Sequence, residues 1–194
     1  QSIGIQPHMA LARSERPLPQ DDRRKIALLT NVPREAVVSA HDVDNIYKIP
    51  RLYHEQGVDS FIVRRLSLPV AEVDLRGWDQ YIRDFEHPTA EVDVALVGKY
   101  VDLADSYKSL AEALNHAAAH TRTRVRVHYV DAETLERDGC GALHGMDAVL
   151  VPGGFGGRGI EGKIAAARFA REQRVPYLGI CLGLQVAVIE YARN

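Results

Sequence analysis

Cysteine is scarce in this sequence. Cys140 and Cys181 are the two among 194 residues, and no C-x-x-C pair joins them. A disulfide scaffold and a thiolate-rich zinc site are thereby excluded. An excess of charge is also wanting: 24 Lys+Arg stand against 26 Asp+Glu, for a formal net charge of -2. No basic field therefore points to nucleic acid or to a membrane surface. No apolar run approaches the ~20 residues of a spanning helix. No charged-then-apolar leader opens the chain, and no repeat or low-complexity tract occurs. These absences predict a soluble protein in a reducing, cytoplasmic setting, with neither nucleic acid nor membrane as partner. A starting methionine is lacking too. Gln1 opens the chain inside what reads as the end of a helix, "QSIGIQP", so a piece of a longer polypeptide is expected.

What is present is a 46% hydrophobic composition, enough for one good core or two small ones. Met9–Ser14 reads as a short strand and "DDRRKIALLTN" as a helix. In that helix acids lead, basics follow, and Ile26, Leu28 and Leu29 supply an apolar side. Ala36–Ala40 reads as a second strand. "HDVDNIYKIPRLYHEQGVD" opens with possible cap residues, is interrupted by Pro50 and resumes as a helix ending at Gly57. "FIVRRLSL" carries apolar residues onward. Residues 69–91 read as an interdomain linker holding a short amphipathic helix, "DLRGWDQYIRDFE", docked by its aromatics.

From residue 92 the rhythm becomes regular. The strands are "VDVALVGKY", "RVRVHYV", "DAVLVPGG" and "VPYLGI". Between them lie the helix "DSYKSLAEALNHAAAHT", N-capped by Asp105 or Ser106, then "DAETLERDG" as a short helix or turn, and the helix "EGKIAAARFAREQR". This alternation predicts an α/β fold, with parallel sheets flanked by helices and ligands bound beyond the carboxyl ends of the strands. "VALVGKYVD" is no P-loop, because Asp93 and Tyr100 stand where glycine and Ser or Thr are required.

"GICLG", Gly179 to Gly183, has the spacing of a nucleophile elbow with Cys181 at its centre. The glycines permit a tight strand-to-helix turn. The sulfur would stand at a helix N-terminus, where the dipole and free N–H groups favour a thiolate. The N–H of Leu182 would point toward a developing oxyanion. The competing reading is a cysteine packed as a small hydrophobe, and that is the reading for Cys140. In "VPGGFGGRGIEGK", Gly154, Gly156 and Gly159 fit G-x-G-x-x-G, as in a dinucleotide fingerprint. The run lies on a late strand, however, and the next strand ends at Cys181 where a ribose-binding acid is expected. As part of an oxyanion hole beside Leu182 it suits the cysteine better; a plain flexible loop is the third possibility.

"PGGFGGRG" followed by "PYLGICLGLQ" resembles the glutaminase domain of class I glutamine amidotransferases. "SIGIQP", "RSERPLP", "KIALLTNVP", "DVDNIYKIP" and "LVGKYVDLADSYKSLAEAL" narrow the resemblance to the CTP synthase family. It implies residues 1–68 as the C-terminal part of a P-loop-like amidoligase domain. Residues 69–91 would be a linker, and 92–194 the N-terminal part of a flavodoxin-like glutaminase domain. It implies amination of UTP to CTP with ATP, Mg2+ and ammonia from glutamine, with GTP as activator and CTP as inhibitor. A homotetramer and filaments are also implied. Cys181 matches the nucleophile that forms a glutamyl thioester. Gly154, Leu182, Gly183, Leu184 and Gln185 match the glutamine-binding positions. Lys25 matches a UTP or CTP phosphate contact, and Arg13, His41, Asp42 and Val43 fall at the ATP site. Arg158, Gly159 and Glu161 lie in the loop tied to glutamine access and the GTP response. Without the resemblance, Lys25 reads as a solvated lysine, Asp42 as a helix cap and Arg13 as a surface ion pair.

The same resemblance implies that the phosphate loop, the magnesium ligands and the triad's histidine and glutamate lie outside this chain. His116 and His120 stand one helical turn apart with no carboxylate at metal-site spacing. His128 falls on a strand and His144 in a loop, and nothing in the sequence places a base at Cys181. The chain alone is therefore expected to be inactive. Two other readings remain open: a non-catalytic assembly or regulatory module, and a Rossmann dinucleotide binder.

Overall fold

Each part of the chain is built on its own parallel sheet. The computed structural model describes residues 4–70, 73–99, 106–154 and 156–194, and the chain divides into two units, Gln1–Ile82 and Arg83–Asn194. The expected cap Asp105 lies outside the described residues.

In the first unit, β1 (Ala10–Ser14) pairs in parallel with β2 (Val37–His41). Helix α1 (Gln20–Thr30) connects them, with Asp21 and Asp22 at its positive end and Asn31 closing it in the left-handed region. Val32, Ala36 and Val37 form the core, with Met9, Leu18, Ile26, Ala27 and Phe61 packed against them. The expected apolar side of α1 is thus only partly right. Ile26 and Ala27 pack, whereas Leu28 and Leu29 face outward, 83% and 78% exposed. At about 100° per residue they fall about 200° and 300° round from Ile26, on the side away from the middle of the Ile26–Ala27 stripe.

Pro50 does not interrupt a helix. It sits in the first turn of α2 (Ile49–Glu55), where its missing N–H costs nothing. Gly57, with φ of 76°, starts a separate helix, α3 (Val58–Leu66), not assigned from the sequence. The Gln56 side chain accepts from the Ser39 N–H at 2.8 Å and donates to the Ser39 carbonyl at 3.0 Å. One amide thereby pairs with β2 as a neighbouring strand would. Helix α4 (Arg76–Glu86) docks its first turns through aromatics: the Trp78 indole donates to the Tyr47 carbonyl at 2.7 Å and stacks on Tyr81.

The second unit carries a four-stranded, all-parallel sheet ordered β4-β3-β5-β6. Its strands are β3 (Ala90–Gly98), β4 (Thr123–Asp131), β5 (Ala148–Val151) and β6 (Tyr177–Gly179). Its helices are α5 (Lys108–Thr121), α6 (Ala132–Asp138), α7 (Ile160–Gln173) and α8 (Leu182–Ala192). Alternate residues of β3 serve opposite faces. Val94 and Leu96 pack toward Leu110 and Leu114 of α5. Ala95 and Val97 pack with Leu135 of α6, Ile164 and Phe169 of α7, and Leu182 and Val186 of α8. Asp131 caps α6 by accepting from Glu133 N–H at 2.6 Å. The N-cap position of α5 is Tyr107, and Ser106 lies two residues before the first helical residue, Lys108. Cys140 opens a short 3₁₀ turn, Cys140–Leu143.

Two features lock α7 in place. At Gly162 an added Cβ would lie 2.9 Å from the Ala132 carbonyl carbon and 3.1 Å from the Glu136 nitrogen, so α6 and α7 meet backbone to backbone. At the other end the buried Glu190 of α8 accepts a two-pronged bond from Arg171, at 2.8 and 3.0 Å. Gly162→Ala should therefore lose about 3 kcal/mol in a urea titration, the upper end of overpacking costs. Arg171 also holds the Glu190 carboxyl below the usual carboxylate range. Its stabilising effect is then complete above the unfolded carboxylate pKa and is lost as pH falls through the lowered folded value. Glu190→Gln should flatten the acid limb of a stability-versus-pH curve and lower Tm at neutral pH. A steep acid limb retained in the variant would contradict this account.

Candidate active site

The strand β6 ends at Gly179, and its last ladder bond is Ile180 N–H to the Val151 carbonyl, at 2.9 Å. The chain then turns within one residue. Cys181 has φ 55° and ψ −108°, a combination that side-chain-bearing residues occupy only under constraint. Helix α8 starts at the next residue. The constraint is visible on both sides. A Cβ on Gly183 would lie 2.9 Å from the Val151 carbonyl carbon, and one on Gly179 would lie 2.6 Å from the Leu184 nitrogen. The two glycines of G-x-C-x-G are thus required by close backbone approach. Tyr177 adds a tie: its hydroxyl donates to the Gly183 carbonyl at 2.7 Å, and burial pushes its pKa up to about 12. This tyrosine was not singled out from the sequence.

Cys181 is exposed. The N–H groups of Gly183, Leu184 and Gln185 bond back to Ile180 and Cys181 carbonyls at 2.9 to 3.2 Å. The Leu182 N–H makes no such bond among the described residues and remains a free donor at the helix start. Leu182 and Gly183 are buried, whereas Leu184 and Gln185 are exposed beside the thiol. Across from the elbow runs the glycine turn after β5. A Cβ on Gly153 would touch Cys181 at 3.5 Å from its Cβ and 3.9 Å from its Sγ. Gly154 and Gly156 take φ of 124° and 114°, values open to glycine alone. The fold thus brings Gly153 beside Cys181 at the start of α8, an arrangement that sets a nucleophile next to the free Leu182 N–H and a glycine turn.

The loop residues beyond are tied away from the thiol. Arg158 pairs with Glu133 of α6, and Glu161 with Arg193 at 2.8 Å. Gly159 starts α7 at φ 71°, where a Cβ would meet that of Ala132 at 3.0 Å. Two lysines underlie the glycine turn: Lys99, whose Nζ donates to the Gly156 carbonyl at 3.0 Å, and Lys163, wholly buried. Lys163 went unremarked in the sequence, although with Ala166, Ala167 and Ala170 it falls on the buried stripe of α7. A base for the thiol is not in place, since Cys181 makes no hydrogen bond to a histidine among the described residues. His128 instead bonds Asp93 at 2.6 Å and His144 packs edge-on against Phe169.

In the first unit, Arg13, His41, Asp42 and Val43 cluster at the carboxyl ends of β1 and β2. Arg13 pairs with Asp42 and donates to the Ala40 carbonyl at 3.0 Å, and His41 Nδ1 lies 3.1 Å from the Ser39 hydroxyl. Lys25 stands apart on α1, exposed, with a loose 3.5 Å pairing to Asp22. Among the described residues no three His, Cys, Asp or Glu side chains gather as a metal site. No helix among them is long and apolar enough to cross a membrane.

Comparison with known proteins bears on both units. Residues 1–68 match the family model for the CTP synthase N-terminus, and residues 102–194 match that for class I glutamine amidotransferases. The chain is also similar to a solved structure of the Trypanosoma brucei CTPS glutaminase domain with bound acivicin. Identity is 45% and the TM-score 0.50, over 53% of this chain and 41% of that one. The chain thus spans about two fifths of that relative's length.

Removing the close approach should disable the elbow. Gly183→Ala is expected to cost about 3 kcal/mol and to change the rate at which iodoacetamide alkylates Cys181. Unchanged stability and alkylation would mean that the contact between Gly183 and Val151 is not what holds the turn.

Proposed function

The chain belongs to the CTP synthase family, and from that premise we propose that Cys181 is the nucleophile of its glutaminase reaction. The observation that carries this reading is the strained turn at Cys181, with the free Leu182 N–H on one side and the Gly153–Gly154 turn on the other. The thiolate attacks the side-chain carboxamide carbon of glutamine, and the carbonyl π-electrons move onto oxygen. That oxyanion is met by the Leu182 N–H and by the glycine turn. Collapse breaks the C–N bond, the nitrogen leaves as ammonia with a proton from a general acid, and a glutamyl thioester remains on Cys181. Water then releases glutamate and restores the thiol. Gln185 and Leu184, exposed beside the sulfur, line the glutamine subsite. Acivicin is a glutamine analogue, and its presence in the T. brucei relative supports the same ligand class here.

The ammonia serves the amination of UTP to CTP with ATP, GTP acting as activator and CTP as inhibitor, in a homotetramer of the full-length protein. Arg13, His41, Asp42 and Val43 contribute to the ATP side, and Lys25 to a UTP or CTP phosphate. The loose pairing of Lys25 leaves its ammonium available for that contact. Arg158, Gly159 and Glu161 form the loop that governs glutamine access. No step is assigned through a magnesium ion. The boundaries that go with this reading are 1–68 for the amidoligase part, 69–91 for the linker and 92–194 for the glutaminase part. The protein works in the cytoplasm. Because the described thiol has no histidine partner, the 194-residue chain by itself hydrolyses glutamine poorly.

In the full-length protein, Cys181→Ala should abolish acivicin labelling. It should lower glutamine-dependent CTP formation by roughly three orders of magnitude or more, while ammonia-dependent CTP formation stays within about twofold. Glutamine-dependent activity surviving in the variant would sink the assignment.

A further inference from the structure

The glycine turn touches the thiol through one residue and a buried amine through the next. Gly153 abuts Cys181, whereas a Cβ on Gly154 would meet Lys163 Nζ at 4.0 Å. Lys163 is wholly buried, and its Nζ has no hydrogen-bond partner among the described residues. An amine buried without a partner opposes folding, and a methionine would fill the same stripe of α7 without that cost. The position therefore makes little sense as packing alone. Burial, and then the charge of Lys99, lower the Lys163 pKa. No acid acts on it among the described residues; Lys99 is the charged neighbour. Across the turn the titratable group is Cys181 itself.

We propose that Lys163 is a positioning residue of the acyl-transfer site, its ammonium lying beside Gly154 and adding positive potential to the glycine turn that faces Cys181. The inference rests on the glutaminase reading of Cys181. In its protonated form the amine adds positive potential beneath the place where negative charge develops, in surroundings too dry to screen it. Loss of the proton removes that contribution. Lys163 neither touches glutamine nor exchanges a proton with it.

The test compares wild-type full-length protein with Lys163→Met. The variant should keep or raise Tm, because it removes an unpartnered buried amine. Its glutaminase kcat and its rate of Cys181 labelling by acivicin should fall on the order of tenfold, short of the hundredfold or more lost with an oxyanion donor itself. KM for glutamine should stay within about twofold. The pH profile supplies a readout that packing alone would not move. Wild-type kcat should decline on the alkaline side below pH 10.5, the ordinary lysine value, and this limb should be absent from the variant. If wild type itself is not labelled at Cys181, the glutaminase reading fails. If wild type is labelled and the variant matches it in rate and pH profile, the role of Lys163 is overturned. Should the variant unfold, the wild-type profile still decides, since a kcat that holds level through pH 10.5 excludes a contribution from the buried ammonium.

Discussion

One backbone contact sets the terms for the rest of the second unit: the approach of Gly183 to the carbonyl of Val151. Helix α8 can begin directly behind β6 only if it passes this close to β5, and only a residue without Cβ permits it. The contact forces the chain to reverse at Cys181, which therefore carries the strained φ and ψ. Strain of this kind persists where surrounding structure over-determines it. Here the ladder bond from Ile180 to Val151 and the hydroxyl of Tyr177 on Gly183 supply that support. The reward is geometric. A thiol is held out from the sheet, next to a helix start whose first N–H is unspent.

The same sheet places the second half of the site. The strand order β4-β3-β5-β6 reverses direction of growth between β3 and β5, and in such sheets the carboxyl ends around the reversal form the crevice. Lys99 follows β3 and the glycine turn follows β5, so the two meet there. Around this crevice the helices are fixed by specific ties. Gly162 brings α7 onto α6, and Glu190 and Arg171 clamp α8 to α7. A rigid frame under a glycine-rich turn is what a preorganised set of backbone donors requires.

Legibility from sequence varied with how local the cause was. All six strands were readable, because alternation or a short apolar run between turn residues is a local pattern. The elbow was readable because glycines two positions before and two after a cysteine, at a strand end, suit little besides a sharp turn. Leu28 and Leu29 are exposed against the sequence expectation, since propensity and composition do not say which stripe of an amphipathic helix meets the core. Pro50 reads as a break in the sequence because its position relative to the first turn of α2 depends on where the preceding 3₁₀ turn, Ile46–Lys48, ends. Gly153, Tyr177 and Lys163 act through partners 28, 6 and 9 positions away along the chain, and no local pattern announces such contacts.

By itself the sequence determined the α/β alternation, the parallel sheet, the sharp turn at Cys181 and the family resemblance, because each rests on residues adjacent in the chain. The tertiary structure alone decided what surrounds that cysteine. Which N–H is left unpaired, which glycine touches the sulfur and which lysine is sealed beneath the turn all follow from how β5, β6, α7 and α8 pack. Those distances are set by backbone approach between segments that the chain order keeps apart.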